Sequence, residues 1–245
     1  MLVLQGLTKK FKEVTAVEDL SLSVSGGEIL GLLGANGAGK TTTLRMLATM
    51  LSPTAGTAQI QGHDLLREPG AVRKATGLLF GGDTGLYDRL TARENIAYFA
   101  ALNNLPDDQI EERTNALAKA FDFTEYLDRW AGKLSKGTRQ KVAFARAIIH
   151  NPAVMLLDEP TTGLDVTSKQ NVEDFIASCR QDGKTVVLSD HNLDLIERVC
   201  GRVGILENGR LLGLGTAQEL CARYECGSLK DVFFKLAGRG AEDGI

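Results

Sequence analysis

The chain carries one glycine-rich segment whose residue types and spacing are suited to holding phosphate groups. Residues 34–41, Gly-Ala-Asn-Gly-Ala-Gly-Lys-Thr, match the pattern G-x-x-x-x-G-K-[ST] at every fixed position. The apolar residues 28–33 before it predict a buried strand, and residues 41–47 predict a helix. Glycines let backbone N–H groups converge on phosphate oxygens, and the N-terminus of the helix adds its positive dipole end. The segment therefore predicts a nucleotide-phosphate site.

The side chains of this loop are expected to have separate tasks. Lys40 is expected to reach the β- and γ-phosphates, and the Thr41 hydroxyl to ligate Mg²⁺. Thr42 lies close enough in sequence to contact a phosphate. The other loop residues predicted to bind nucleotide are Gly34, Asn36, Gly37, Ala38 and Gly39. The alternative, a glycine-rich turn that binds nothing, is disfavoured by the complete motif in its strand–loop–helix context.

A second buried-strand pattern, residues 153–157, ends in Asp158 and Glu159. Acidic residues at the carboxyl end of a parallel strand face the ligand crevice of an open α/β sheet. We therefore expect Asp158 to hold the Mg²⁺ shell through water. Glu159 is the candidate general base for an attacking water. Its alternative interpretation is a helix-cap or surface carboxylate.

A third strand pattern, residues 184–189, is followed within two residues by His191. From the end of a strand, His191 is placed to reach a γ-phosphate and to orient the water or Glu159. A lone histidine is more often structural, but this position favours a functional role. The other two histidines, His63 and His150, lack such a context and are interpreted as surface or packing residues.

The order of the motifs then points to a family. Residues 134–140, Leu-Ser-Lys-Gly-Thr-Arg-Gln, open a helix pattern with apolar residues on one face. With the loop at 34–41, the strand end at 154–158 followed by Glu159, and the segment 163–165, the chain resembles the ATP-binding cassette (ABC) transporter ATPases. In that family, residues 134–140 correspond to the signature, 34–41 to Walker A, 154–158 to Walker B with Glu159 as the catalytic glutamate, and 163–165 to the D-loop. The resemblance extends over about residues 2–216.

The resemblance implies an α/β fold class. A P-loop NTPase (RecA-like) core is expected, with an antiparallel β subdomain and an inserted helical subdomain. The implied division is a first part of the core with the antiparallel subdomain at 1–83 and a helical subdomain with the signature at 84–150. The second part of the core follows at 151–216, and a C-terminal helical extension and tail at 217–245.

The resemblance also implies a partner and further site residues. Two cassettes, either a homodimer or a pair with a paralogue, are expected to enclose two ATP molecules. Ser135 and Gly137 would contact the γ-phosphate of the ATP on the second cassette, with an ordinary helix cap as the alternative. Asp165 would cross that interface, and Phe11 falls where the family places an aromatic residue against adenine. The predicted catalytic residues are Glu159, His191 and Lys40.

Two departures from the family pattern stand out. Lys136 occupies the position of the first of two glycines in the signature. After the strand predicted at residues 76–80, the family normally has a glutamine that touches Mg²⁺ and senses the membrane partner. This chain has Gly-Gly-Asp-Thr-Gly at residues 81–85 instead. Asp83 as a substitute metal ligand and a flexible hinge loop are the two interpretations of this segment.

Composition limits the classes of function. The 245 residues are 43% hydrophobic with a formal net charge of −3, so no basic surface for nucleic acid is expected. No segment approaches the roughly 18 consecutive apolar residues that span a bilayer, and no signal peptide is expected. The four cysteines are interpreted as reduced thiols. A separate polytopic transmembrane permease is therefore implied, with this chain peripheral on the cytoplasmic face of the cell membrane.

The sequence thus predicts an ATP-binding and ATP-hydrolysing, Mg²⁺-dependent subunit that powers export by an ABC transporter. Residues 80–91 and 134–142 resemble the sodium-exporting NatA-like group, which suggests Na⁺ or another small substrate. Residues 85–90 are the candidate docking edge for the membrane subunit, with plain packing as the alternative. A soluble ABC ATPase acting on ribosomes or DNA is one competing function. A nucleotide-binding regulator without hydrolysis is another, and Glu159 and His191 argue against it.

Overall fold

Two β-sheets and nine α-helices make up the part of the chain that a computed structural model describes, residues 1–81 and 85–237. Residues 82–84 and 238–245 lie outside the described residues, and with them the interpretations of Asp83 and of a frayed C-terminus.

The larger sheet has six strands in the order β10-β9-β3-β8-β7-β6. Its strands are β3 (Ile29–Leu33), β6 (Thr76–Leu79), β7 (Val154–Asp158), β8 (Thr185–Ser189), β9 (Arg202–Glu207) and β10 (Arg210–Gly215). All neighbours are parallel except β9 and β10, which form an antiparallel hairpin. Near-continuous apolar runs are typical of parallel strands buried on both faces, and β3, β7 and β8 are buried throughout. The predicted α/β fold class is confirmed.

The smaller sheet is antiparallel and has four strands in the order β2-β1-β4-β5. These are β1 (Leu2–Phe11), β2 (Val14–Val24), β4 (Ala55–Ile60) and β5 (His63–Asp64). The sequence predicted three antiparallel strands here, at residues 2–7, 18–25 and 56–61. The first two are longer in the structure because β1 and β2 pair up to the turn, where Phe11 faces Val14.

The helices are distributed between the strands. They are α1 (Lys40–Leu47), α2 (Pro69–Ala75), α3 (Ala92–Leu102), α4 (Asp107–Ala120), α5 (Lys136–Ile148), α6 (Val166–Ser178), α7 (Leu193–Val199), α8 (Ala217–Tyr224) and α9 (Leu229–Leu236). Helices α3, α4 and α5 fall between β6 and β7, where the helical subdomain is predicted. None of the described helices combines the length and the apolar character needed to cross a membrane. The predicted domain boundaries themselves stay a prediction.

Local sequence explains where several elements begin and turn. The Thr91 hydroxyl accepts the backbone N–H of Glu94 and the Glu94 carboxylate accepts that of Thr91, which forms a capping box at the start of α3. A hairpin forms between β9 and β10, with Asn208 at φ 49° and Gly209 at φ 79°. Both angles are left-handed, as a two-residue turn between antiparallel strands requires.

Alternating strand residues divide the apolar interior into two layers. On β3, Leu30 and Leu32 pack toward α1 and the antiparallel sheet, whereas Ile29 and Leu33 pack toward the other helices. Strand β7 alternates in the same way. Each such side chain contributes about 1.5–3 kcal/mol when it is fully buried. Because the central strands are held from both faces, the loops at their carboxyl ends start from fixed positions.

Candidate active site

The carboxyl ends of β3, β7 and β8 meet at one edge of the parallel sheet. Leu32 and Asp158 both pair with Ser189, so β8 lies between the other two strands. Strand β3 leads into the glycine-rich loop, β7 ends at Asp158, and β8 is followed by His191. This is the edge at which open α/β sheets bind their ligands.

Close backbone contacts fix the shape of the glycine-rich loop. Gly37 and Gly39 have φ angles of 84° and 102°, in the left-handed region that favours glycine. A Cβ atom on Gly39 would lie 2.5 Å from the Ala16 carbonyl oxygen of β2. On Gly34 it would lie 2.5 Å from the Leu206 carbonyl oxygen of β9. Glycine is therefore needed at these positions for contact with both sheets as well as for chain direction.

A cavity of about 120 Å³ lies over this loop. Its lining consists of Asn36, Gly37, Ala38, Gly39, Lys40, Thr41, Thr42, Asp158 and Glu159. Every lining residue was predicted from the sequence to bind nucleotide, bind metal or take part in catalysis. Phe11, Gly34, Ser135, Gly137 and His191 lie outside this lining.

A larger cavity of about 260 Å³ lies elsewhere, between α4, the end of α5 and the start of β7. Leu117, Ile149, Met155 and Phe175 are among its lining residues, and none of the predicted site residues is. Size therefore does not identify the site in this fold. The smaller cavity is the one at which the charged and polar groups converge.

Lys40 is held by its own loop. Its Nζ donates hydrogen bonds to the Gly34 carbonyl at 2.6 Å and to the Ala35 carbonyl at 3.1 Å. The residue is only 7% exposed. Burial lowers the pKa of its ammonium group from the ordinary value, while nearby carboxylates, Asp158 foremost, act in the opposite direction. The site thus contains a buried cation bonded to neutral carbonyls.

Thr41 and Asp158 bring two oxygen donors together. The Thr41 hydroxyl donates to Asp158 Oδ2 at 2.7 Å, and the Ser189 hydroxyl donates to the other carboxylate oxygen. Hydroxyl and carboxylate oxygens fit Mg²⁺, which takes few ligands from protein and keeps waters and substrate phosphates as the rest. Within residues 1–81 and 85–237, no group of three or more His, Cys, Asp or Glu side chains could hold a metal alone. The donor set therefore fits a Mg²⁺ ion that arrives with a nucleotide.

Glu159 stands at the end of β7 in an uncommon conformation. Its φ is 46°, and its backbone N–H donates to the Ser189 carbonyl at 2.8 Å. Left-handed angles are rare for residues other than glycine and concentrate at functional sites. One carboxylate oxygen accepts the Thr162 hydroxyl at 3.2 Å, and the other lies 3.3 Å from His191 Nδ1. The structure therefore brings His191 to Glu159, as the sequence suggested.

Gly81, for which no role was predicted beyond the loop that it begins, packs directly against Glu159. A Cβ atom on Gly81 would lie 2.9 Å from the Glu159 Cβ and 3.1 Å from the Asp158 carbonyl oxygen. A side chain at this position must displace the strand end that carries both carboxylates. Gly81 is thus a packing constraint on the geometry of the site.

We expect Gly81→Ala to lower kcat for ATP hydrolysis by up to about 10²-fold, because a shift of about 1 Å at a reacting group can have that effect. The matched control is Gly70→Ala, since a Cβ atom on Gly70 meets nothing within 4 Å. Steady-state phosphate release from both variants measures the difference. Equal rates in Gly81→Ala and the wild type would show that this contact leaves Glu159 free to adjust.

The signature residues start α5 next to the loop that follows Glu159. The Ser135 hydroxyl caps the helix by accepting the Thr138 N–H at 3.1 Å. A Cβ atom on Gly137 would lie 3.4 Å from the Gly163 carbonyl oxygen, and the Lys136 side chain lies along Gly163. Within this chain, Ser135 therefore acts as a helix cap, the alternative stated above. Contact of Ser135 and Gly137 with a second cassette's ATP stays a prediction.

Two further predicted residues lie near the site without lining its cavity. Asp165 caps α6, and hydrogen bonds from the hydroxyl and N–H of Ser168 lower the pKa of its carboxyl. Phe11 is 44% exposed at the end of β1, with the Lys9 ammonium 5.0 Å from its ring centroid. Strand β2, which pairs with β1, also lies against Gly39 through the Ala16 carbonyl. Phe11 thus belongs to a hairpin that adjoins the glycine-rich loop.

The sequence analysis missed three side chains that shape the site: Ser189, Thr162 and Asp190. The first two donate to Asp158 and Glu159. Asp190 is 2% exposed, and burial raises the pKa of its carboxyl above the ordinary value. The available signal was position, since Ser189 ends the strand predicted at residues 184–189 and Asp190 follows it, just before His191. The other histidines have separate contacts, His63 with Glu68 and His150 with the Thr76 carbonyl.

Comparison with known proteins extends these observations. A family model described as "ABC transporter" matches residues 17–162. The ABC transporter ATP-binding protein NatA of Bacillus subtilis (strain 168) is 41% identical over 98% of this chain and 99% of its own length. The daunorubicin resistance ATP-binding protein DrrA3 of Streptomyces coeruleorubidus is 36% identical over 97% of this chain and 75% of its own length.

Solved structures give the same picture. One of an ATP-binding subunit of an ABC transporter matches with a TM-score of 0.91 and 28% identity, covering 96% of this chain and 99% of that chain. Another is the dimeric structure of a post-hydrolysis state of an ATP-binding cassette bound to ADP and Pi. It matches with a TM-score of 0.82 and 26% identity, covering 88% of this chain and 98% of that chain.

Proposed function

This chain belongs to the ABC transporter family and is an ATP-hydrolysing cassette of it, and from that premise we propose that it powers export through a separate transmembrane permease. The observation that carries the proposal is the convergence of three groups at one sheet edge. These are the buried Lys40 ammonium, the Thr41–Asp158 oxygen pair and the Glu159–His191 pair. Each performs a separate part of ATP hydrolysis.

The phosphates of ATP are proposed to lie on the loop at residues 34–41. Lys40 exchanges the carbonyls of Gly34 and Ala35 for β- and γ-phosphate oxygens, since a charged acceptor forms the stronger hydrogen bond. Backbone N–H groups at the start of α1 add further donors. Phe11 provides the aromatic surface for adenine, on the hairpin next to the loop.

Thr41 and Asp158 are proposed to hold Mg²⁺, Thr41 through its hydroxyl and Asp158 through water. When bound, Mg²⁺ neutralises negative charge on the β- and γ-phosphate oxygens. The Thr41 hydroxyl donates its hydrogen to Asp158, so its lone pairs stay available to the metal. Ser189 keeps the carboxylate in place through the other oxygen of Asp158.

Glu159 is proposed to take a proton from the attacking water. The water oxygen bonds to the γ-phosphorus, the bond from that phosphorus to the β–γ bridging oxygen breaks, and ADP and phosphate result. His191 orients the γ-phosphate and the water from beside Glu159. The Thr162 hydroxyl donates to the second carboxylate oxygen of Glu159. This hydrogen bond fixes the orientation of the carboxylate and so of its free lone pairs.

A second cassette is proposed to complete the site, either another copy of this chain or a paralogue. Ser135 and Gly137 then face the γ-phosphate on the partner, at the positive N-terminal end of α5. Support comes from the dimeric cassette that is similar over 88% of this chain. ATP binding closes the two cassettes, and hydrolysis with product release reopens them.

The helical segment between β6 and β7 offers an edge for the permease. Tyr87 is 50% exposed and packs edge to face against Tyr98, with ring centroids 5.6 Å apart. Exposed aromatic side chains are enriched at protein interfaces. We place permease docking at residues 85–90, which puts the chain at the cytoplasmic face of the membrane. The net charge of −3 supports no nucleic-acid partner.

The exported substrate is proposed to be Na⁺ or another small molecule. The resemblance of residues 80–91 and 134–142 to the sodium-exporting NatA-like group favours Na⁺, and the likeness to NatA over almost the full length of both chains supports that grouping. The likeness to DrrA3, a daunorubicin resistance protein, keeps organic substrates within the proposal. ATP-dependent ²²Na⁺ flux in vesicles that contain the purified complex tests the cation directly. Absence of flux in vesicles that hydrolyse ATP would exclude Na⁺ as the exported substrate.

Affinity purification of the tagged chain from detergent-solubilised membranes tests the transporter assignment. We expect a polytopic membrane protein in stoichiometric amount by mass spectrometry. Tyr87→Ala is expected to lose this partner while it still binds ATP, whereas the control Leu66→Ala, at an equally exposed apolar residue outside residues 85–90, keeps it. Recovery of ribosomal or DNA-bound proteins from the soluble fraction would favour the competing function and leave the ATPase chemistry intact.

A further inference from the structure

A buried carboxylate beside the site has an oxygen without a partner. Asp190 is 2% exposed and stands between Ser189 and His191. Its Oδ1 accepts the Asn192 N–H at 2.9 Å, but its Oδ2 has no hydrogen-bond partner within the described residues. A buried polar atom left in this state destabilises a fold. The turn before α7 uses only one of its oxygens.

The same carboxylate faces the imidazole that contacts Glu159, through the oxygen that accepts the Asn192 N–H. His191 Nδ1 lies 3.3 Å from Glu159 Oε1 and 3.6 Å from Asp190 Oδ1. One ring nitrogen therefore has two carboxylates as neighbours at nearly equal distances. Lys40 and Cys200 are the further titratable groups that interact electrostatically with Asp190.

Carboxylates accept hydrogen bonds and, when ionised, donate none. A nitrogen that faces two of them keeps its proton, so Nδ1 of His191 is the donor in this arrangement. While Glu159 accepts that N–H, one of its oxygens is occupied. Glu159 must be available to the attacking water, and the imidazole N–H then needs another acceptor.

On the basis of the function proposed above, we propose that Asp190 is a positioning residue that accepts the Nδ1–H of His191 when Glu159 turns to the attacking water. A small rotation of the imidazole moves the N–H from one carboxylate to the other. Asp190 thereby keeps the ring oriented throughout the reaction. Asp190 touches neither substrate nor water in this role.

Kinetics of Asp190→Asn in the full-length chain test the proposal. The amide retains an oxygen for the Asn192 N–H, but it lacks the charge that makes a carboxylate the stronger acceptor for the imidazole N–H. We expect kcat for ATP hydrolysis to fall by about 10- to 100-fold, the usual effect of removing an orienting partner of a functional histidine. KM for ATP should stay within about twofold of the wild type. The matched control, Asp194→Asn, removes an exposed carboxylate four residues further on and should have the wild-type rate.

A double-mutant cycle with His191→Ala separates positioning from a general structural role. If Asp190 acts through the imidazole, Asp190→Asn adds no further loss in the His191→Ala background. The proposal would be overturned if the double variant lost kcat by the product of the two single losses, or if Asp190→Asn had the wild-type kcat. If Asp190→Asn does not fold, Asp190→Ser, whose hydroxyl can also accept the Asn192 N–H, takes its place.

Nuclear magnetic resonance of ¹⁵N-histidine in the chain loaded with Mg²⁺ and a non-hydrolysable ATP analogue, the state in which Glu159 turns to the water, gives a readout independent of turnover. Only three histidines are present, so His191→Ala assigns the signal. We expect a protonated Nδ1 in the wild type and a shift toward the other tautomer in Asp190→Asn. An unchanged tautomer would contradict the role of Asp190 even in an active enzyme. The expected shift in a chain that fails to hydrolyse ATP would overturn the proposed function alone.

Discussion

Glu159→Gln is expected to lower kcat for ATP hydrolysis by about 10²- to 10⁴-fold, the range that a general base contributes. Glutamine has nearly the shape of glutamate, and its carbonyl oxygen can still accept the Thr162 hydroxyl. The amide cannot take a proton from water. ATP affinity should remain unchanged, because Lys40, Thr41 and the loop backbone hold the phosphates. Steady-state phosphate release and equilibrium dialysis with labelled ATP measure the two quantities separately.

The control for this variant is Glu197→Gln, at an exposed position on α7. It should hydrolyse ATP at the wild-type rate. Because ATP is not consumed in Glu159→Gln, we also expect the closed pair of cassettes to persist, which size-exclusion chromatography with ATP detects. Turnover near the wild-type rate would transfer the role of base to another group. Loss of ATP binding would mean that Glu159 acts already in the ground state.

Sequence predicted the parts of this site that depend on local pattern. The glycine-rich loop follows an apolar strand and opens a helix, and each of these features can be recognised over a few residues. The strand ending at Asp158 was predicted for the same reason, since β7 is an uninterrupted apolar run. Parallel strands in an α/β fold present their carboxyl ends at one edge. That rule alone brings Lys40, Asp158 and His191 to the same region.

Contacts between segments that are distant in sequence could not be predicted from such local patterns. The left-handed φ of Glu159 accompanies a hydrogen bond to Ser189, 30 positions later in the chain, and no local residue type indicates it. The close approach of Gly81 to Glu159 depends on how β6 pairs with β7. Burial of Asp190 is likewise a property of the assembled sheet edge. In each case tertiary pairing decides a feature that propensity leaves open.

Other predictions concern molecules beyond a single chain. Ser135 and Gly137 are assigned to a second cassette, and Phe11 to the adenine ring. Within one chain, Ser135 is a helix cap and Phe11 a half-exposed residue at a strand end. Their geometry is compatible with both interpretations, because each function arises only when the partner or the nucleotide is present.

Lys40→Met is expected to weaken ATP binding by about 10²-fold or more. Hydrogen bonds to charged groups contribute about 1.5–3 kcal/mol each, and Lys40 has two acceptors that phosphate oxygens would replace. Since about 1.4 kcal/mol is a factor of ten in affinity, two such bonds account for the expected loss. Equilibrium dialysis measures it, with Lys74→Met, at an exposed lysine on α2, as the control that should bind normally.

The same substitution should leave the nucleotide-free protein at least as stable as the wild type. Burial lowers the pKa of Lys40 in the folded state, so its charged form opposes folding at neutral pH. This destabilisation of the folded state decreases as the pH rises above the lowered pKa of Lys40, because the folded protein then loses the proton. It disappears once the pH exceeds the ordinary pKa of lysine, where the unfolded chain has lost the proton as well. Methionine fills a similar volume without a charge. Thermal unfolding without nucleotide should therefore give an equal or higher Tm for Lys40→Met at pH 7. A Tm several degrees lower would show that the bonds to Gly34 and Ala35 outweigh the unfavourable burial of the ammonium group.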